Sequence, residues 1–100
     1  MNKVLAEVRV EITEITDDSG YPAFVRFAFT DIGGRRHFFA DKLPIVCAEY
    51  EVQPPCEGAL RCHIIAEKTD SFVIDTSFPD HVESEDGEYI FDVPKDIINI

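Results

Sequence analysis

The sequence has no tryptophan, a single methionine and only nine basic residues against twenty acids, giving a formal net charge of −11. Such a surface repels phosphate backbones and anionic lipid, which argues against nucleic-acid and membrane partners. No apolar run approaches the roughly 20 residues of a membrane-spanning helix. The opening Met1-Asn2-Lys3-Val4 passes straight into alternating residues without a long apolar stretch, so no signal peptide is expected. Three cysteines, Cys47, Cys56 and Cys62, are an odd number with no framework spacing, which fits a reducing cytoplasm. No window keeps a 3.6-residue period, and there is no internal repeat and no low-complexity tract. Little helix is therefore expected.

What is present suits one small domain spanning residues 1–100. Hydrophobic residues make up 45% of the chain, with eight Phe and three Tyr, so a real core is available despite the charge. Val4, Ala6, Val8, Val10 and Ile12 fall on one side of the first segment, with Glu7, Arg9, Glu11 and Thr13 on the other. Period-two alternation marks a strand with one dry face. The cluster Thr16-Asp17-Asp18-Ser19-Gly20 closes it. A second strand, Ala23 to Thr30, points Val25, Phe27 and Phe29 one way. Asp31-Ile32-Gly33-Gly34 signals a hairpin, and the return strand covers Arg35 to Ala40.

Asp41 to Glu57 breaks the rhythm and reads mostly as a long loop, with Ile45-Val46-Cys47 as a short edge piece and Pro54-Pro55 as a rigid connection. Strands resume at Ala59–Glu67 and Phe72–Thr76. A third hairpin is expected from Val82–Ser84, the turn Glu85-Asp86-Gly87-Glu88 and Tyr89–Val93. Asp96 to Ile100 suits a last short strand or one helical turn. Six to eight short strands at this spacing predict an all-β fold, a small antiparallel β-barrel or sandwich.

No constellation of catalytic, cofactor or metal residues stands out. The serines lack the Gly-x-Ser-x-Gly setting of a nucleophile elbow. Cys62 and His63 are strand neighbours and point to opposite faces, which leaves Cys62 as a core residue beside Leu60 and Ile64. Cys56, Cys62 and His63 match no zinc spacing, and the late acids lack the order of a calcium loop. Asp31 to Arg35 has glycines but no following helix to bind a phosphate.

The charge is uneven. From Thr69 onward there are nine acids against Lys95 alone, whereas the first fifty residues hold eight acids and six bases. The expected partner-binding surface is therefore acidic, built from Asp80, Glu83, Glu85, Asp86 and Glu88 with Phe78 and Tyr89 as aromatic anchors, and its partner a basic protein.

The stretch Ala23-Phe24-Val25-Arg26-Phe27-Ala28-Phe29-Thr30-Asp31-Ile32-Gly33-Gly34-Arg35-Arg36-His37-Phe38, continuing to Asp41-Lys42-Leu43-Pro44-Ile45-Val46, resembles a small family of uncharacterised bacterial β-barrel proteins. That resemblance implies a stand-alone domain of this size, a habit shared by immunity proteins to secreted toxins. The late Glu85-Asp86-Gly87-Glu88-Tyr89-Ile90-Phe91 hairpin is similar to β-barrel domains of translation elongation factors, without any accompanying nucleotide motif. The leading expectation is a non-enzymatic acidic binding domain, in one form an immunity protein against a basic toxin. The alternatives are a ligand-binding or enzymatic barrel with His37, His63 or Cys47 near its opening, and a homodimer or larger homo-oligomer joined through Ile45-Val46 or Ile97-Ile98-Ile100.

Overall fold

The computed structural model describes residues 4–100. Seven strands form one antiparallel half-barrel sheet: β1 (Val4–Asp17), β2 (Phe24–Thr30), β3 (Arg36–Lys42), β4 (Cys56–Glu67), β5 (Ser71–Asp75), β6 (Ile90–Pro94) and β7 (Ile98–Asn99). Helix is confined to two single 3₁₀ turns, Leu43–Ile45 and Lys95–Ile97. The sheet order is β3-β2-β1-β4-β5-β6, which makes the long β1 its spine.

β1 pairs with β4 along Val4 to Ile12 on one edge and with β2 from Glu11 to Asp17 on the other. That leaves the early part of the second edge open, and β7 returns to fill it through Glu7–Asn99 and Val8–Ile98. The curl is fixed at two further points by backbone hydrogen bonds. The Ile32 N–H, at the tip of the β2–β3 hairpin, donates to the Asp92 carbonyl at 2.8 Å, and the Glu85 N–H donates to the Phe38 carbonyl at 2.8 Å.

The concave face is packed with the residues the alternation selected. Ala6, Val8, Val10 and Ile12 from β1 are buried, as are Val25, Phe27 and Phe29 from β2 and Leu60, Cys62 and Ile64 from β4. Phe27 and Phe39 stack at 5.3 Å, and Phe91 meets Phe29 edge-on at 5.1 Å. Burying each of these rings is worth roughly 1.5–3 kcal/mol. The interior is thus filled by side chains.

Several boundaries differ from the sequence reading. β1 runs on to Asp17 because register shifts between Ile12 and Glu14 and between Ile15 and Asp17 let it twist and stay paired with β2. β4 begins at Cys56 rather than Ala59. Ile45-Val46-Cys47 is no edge strand: Leu43 and Val46 turn inward as core residues, and the Leu43 carbonyl accepts from the Val46 and Cys47 N–H groups. Val82–Ser84 forms no strand either. Val82 and Ser84 are buried, but the Val82 N–H donates to Thr76 and Glu85 bonds across to Phe38, so no ladder to β6 forms. The turn itself survives, with Gly87 at φ 82° and its N–H on the Ser84 carbonyl. Both expectations for the C-terminus are realised in succession, one 3₁₀ turn and then β7.

Candidate functional site

Four of the five late carboxylates expected to form a one-signed face have arginine partners. Both Glu85 oxygens accept from Arg26, at 2.9 and 2.8 Å. Asp86 lies 2.9 Å and Glu88 3.4 Å from the Arg35 guanidinium. Asp80 takes both Nε and Nη2 of Arg61, the former at 3.0 Å. Glu83 instead accepts from the Tyr89 hydroxyl at 2.8 Å, which itself lies 3.2 Å from His81 Nε2. The hydrogen bond from Arg26 holds the Glu85 carboxyl below its ordinary value, outweighing the opposing effect of desolvation. Of the expected anchors, Tyr89 is half-buried in this network, while Phe78 is 56% exposed and lies against the His63 ring at 5.2 Å. The arginines that neutralise this region come from β2, the β2–β3 turn and β4, far away in sequence. The carboxylates here tie residues 76–89 onto the sheet.

The side chains considered for chemistry are also separated. His37 is buried, 4% exposed, between Phe29 and Phe91. Its Nε2 lies 2.8 Å from Asp31 Oδ2, and its Nδ1 has no hydrogen-bond partner among the described residues. Asp31 Oδ1 accepts from the Gly33 and Arg35 N–H groups, both at 2.9 Å, so this dyad braces the hairpin turn. Burial alone would raise the Asp31 carboxyl. The hydrogen bonds from His37, Arg35 and Gly33, with the His37 charge, together bring it below its usual value. Cys62 is fully buried, and burial pushes its thiol up to about 12, so it is inert core. Among the described residues no three His, Cys, Asp or Glu side chains gather so as to hold a metal ion, and no helix is long and apolar enough to cross a membrane.

A groove of about 740 Å³ opens where the β1–β2 connection faces the segment between β3 and β4. Its floor is apolar and sulfur-bearing, from Leu43, Val52, Cys47 and Cys56. The floor is held by a close approach: the Ala59 N–H donates to the Val46 carbonyl at 2.9 Å, and Gly58 lies so near that a Cβ there would sit 2.7 Å from the same oxygen. Desolvation raises the Cys56 thiol, with Cys47 and Glu49 adding to the effect.

The rim has a different chemistry. Tyr21 and Tyr50 are 74% and 76% exposed, and their rings meet at 5.8 Å with an interplanar angle of 43°. Asp18, Glu49, Glu51 and Glu57 stand around them, and among the described residues no basic side chain lines the groove. Among the described residues only Glu57 of these four has an ion pair, a loose 3.7 Å contact with Arg9. Asp17, next to the rim, is occupied in a turn, where the Ser19 hydroxyl and N–H bond its carboxylate and lower its pKa. The unmatched negative charge and the exposed aromatics therefore coincide here, at the opposite end of the sequence from the expected face. The available signal was the acid–aromatic–acid run Glu49-Tyr50-Glu51 inside an unusually long loop; its pairing with Tyr21 is a tertiary fact. Compared with protein-family models, with curated proteins and with solved structures, the chain finds no match.

Proposed function

We propose that this protein is a non-enzymatic binding domain that takes a basic segment of a partner protein into the Tyr21–Tyr50 groove. The observation that carries the reading is the composition of that groove: four carboxylates, of which only Glu57 has an ion pair among the described residues, two exposed tyrosines and, among the described residues, no basic lining side chain. Carboxylates without local counter-charges attract cations at long range, and exposed aromatic residues ringed by polar ones are what interfaces bury at their centres. The late carboxylates contribute less to such attraction, because Arg26, Arg35 and Arg61 offset most of their charge. An immunity protein that masks the basic surface of a toxin is one biological form this binding would take.

The test is a titration of the isotope-labelled domain with a short polylysine peptide, followed by amide chemical shifts. Shifts are expected at Asp18, Tyr21 and Glu49–Val52, weakening with added salt, and the Glu49→Gln/Glu51→Gln double variant should bind more weakly. Shifts centred on Glu85 and Asp86 instead, or no localised shifts at all, would overturn the reading.

A further inference from the structure

We infer that the groove is built for arginine: that Tyr21 and Tyr50 on its rim form an aromatic platform for one guanidinium group of the partner, with Glu49 and Glu51 available to its donor edge. This deepens the proposed function and rests on it.

The same combination already exists, completed, elsewhere in this molecule. The Arg26 guanidinium carbon lies 3.9 Å above the centroid of the Phe38 ring, while its Nε and Nη2 grip both oxygens of Glu85. Aromatic face, carboxylate fork and guanidinium thus form one unit on the outer surface of the sheet. A looser lysine counterpart joins Lys95 to Glu67, with the ammonium 5.0 Å from the Phe72 ring. At the groove the aromatic faces and the carboxylates stand together, and no described residue lining it supplies the cation.

Ring geometry selects between the two kinds of cation. At 5.8 Å between centroids the tyrosines are too close for any group to slot between them, since two van der Waals contacts need about 7 Å. They present instead a bent, continuous platform. A guanidinium is flat, weakly hydrated and carries its donors in its own plane, so it can lie on that platform and still offer a bidentate edge to a carboxylate. An ammonium is a strongly hydrated point charge that must lose water to reach the rings and cannot use their width. Both tyrosines are more than 70% exposed in the free protein, so the aromatic contribution is available only to a bound partner.

The experiment compares polyarginine and polylysine peptides of equal length against the intact domain. Tyrosine emission is the readout, as the chain contains no tryptophan. Polyarginine is expected to bind about tenfold more tightly. Tyr21→Ala and Tyr50→Ala should each abolish most of that preference, and Tyr50→Phe, which keeps the ring, should retain it; amide shifts serve as the readout for these variants. Because both side chains project into solvent, circular dichroism should show every variant folded. Equal affinity for the two peptides, with both weakened by Glu49→Gln/Glu51→Gln, would overturn the arginine inference and leave the basic-partner reading standing. Failure of both peptides to bind at the groove would overturn both readings.

Discussion

At the residue scale, Asp31 braces a turn through two backbone N–H groups and meets His37 through its second oxygen. Its carboxyl, like those of Glu85 and Asp92, sits below its ordinary value in the folded chain; for Asp92 the main cause is the Lys68 ammonium, 2.8 Å away. A carboxyl that is more acidic when folded adds stability above its unfolded pKa, and that stability is lost as pH falls through the folded value. The melting temperature should therefore hold near neutrality and drop once pH falls below about 4. Asp31→Asn keeps an acceptor for the turn but removes the charge, so it should flatten part of this acid limb. Asp31→Ala, which also strands the N–H groups and His37, should cost roughly 1–3 kcal/mol at pH 7. Melting curves across pH check both, and an unchanged acid limb in Asp31→Asn would remove Asp31 from the explanation.

At the element scale, local pattern and tertiary demand agree best where a strand has one dry face. The alternation named Ala6, Val8, Val10 and Ile12 of β1 and Val25, Phe27 and Phe29 of β2 correctly, but Val4 at the open start of β1 is 43% exposed and Ala28, on the other face of β2, is buried; Asp31 to Gly34 does form the β2–β3 turn, with Gly34 at φ 88°. Agreement fails where backbone groups find partners remote in sequence. Val82 and Ser84 alternate as a strand would, but their neighbour Glu85 bonds to Phe38 on β3, a partner that no local rule could nominate. The early start of β4 has a similar origin. Cys56 and Glu57 are drawn into the ladder by Ile12 and Glu11, and Gly58 is required because the Val46 carbonyl passes directly above it. Gly58→Ala should push these two segments apart, destabilising the fold by roughly 1–3 kcal/mol and loosening the groove floor. Urea denaturation measures the first effect, and faster hydrogen exchange at the Ala59 amide the second. A wild-type midpoint would mean that the segment before β4 yields without cost.

At the scale of the whole molecule, two features depend on closure. The first is the edge of β1, which β7 covers only at Glu7 and Val8 while Ile97 and Ile98 rest against the core. These isoleucines, and Val46 likewise, are thus engaged within the chain rather than held out as sticky segments; Ile100 alone among them is largely exposed. Truncation after Pro94 should uncover the β1 edge together with apolar surface, and exposed edges recruit other strands. Light scattering is expected to show concentration-dependent association of the truncated chain beyond that of the full chain. Identical behaviour of the two would show that β7 does not protect the edge. The second feature is the distribution of charge. The sequence concentrates acids after Thr69, yet folding brings Arg26, Arg35 and Arg61 onto them and, among the described residues, leaves Asp18, Glu49 and Glu51 without ionic partners.

Sequence alone determined the strand-rich class, the inward residues of the spine apart from Val4, the main hairpin and the excess of negative charge. These follow from composition and from a two-residue period, both properties of neighbouring positions. Tertiary structure decided how far the sheet curls, which loop crosses which strand, and above all where the charge is felt. Neutralisation depends on the distance between groups in space, and the arginines lie 19 to 59 residues from the carboxylates they meet. The groove with its paired tyrosines arises in the same way, from two connections that become neighbours only when β1, β3 and β4 take their places.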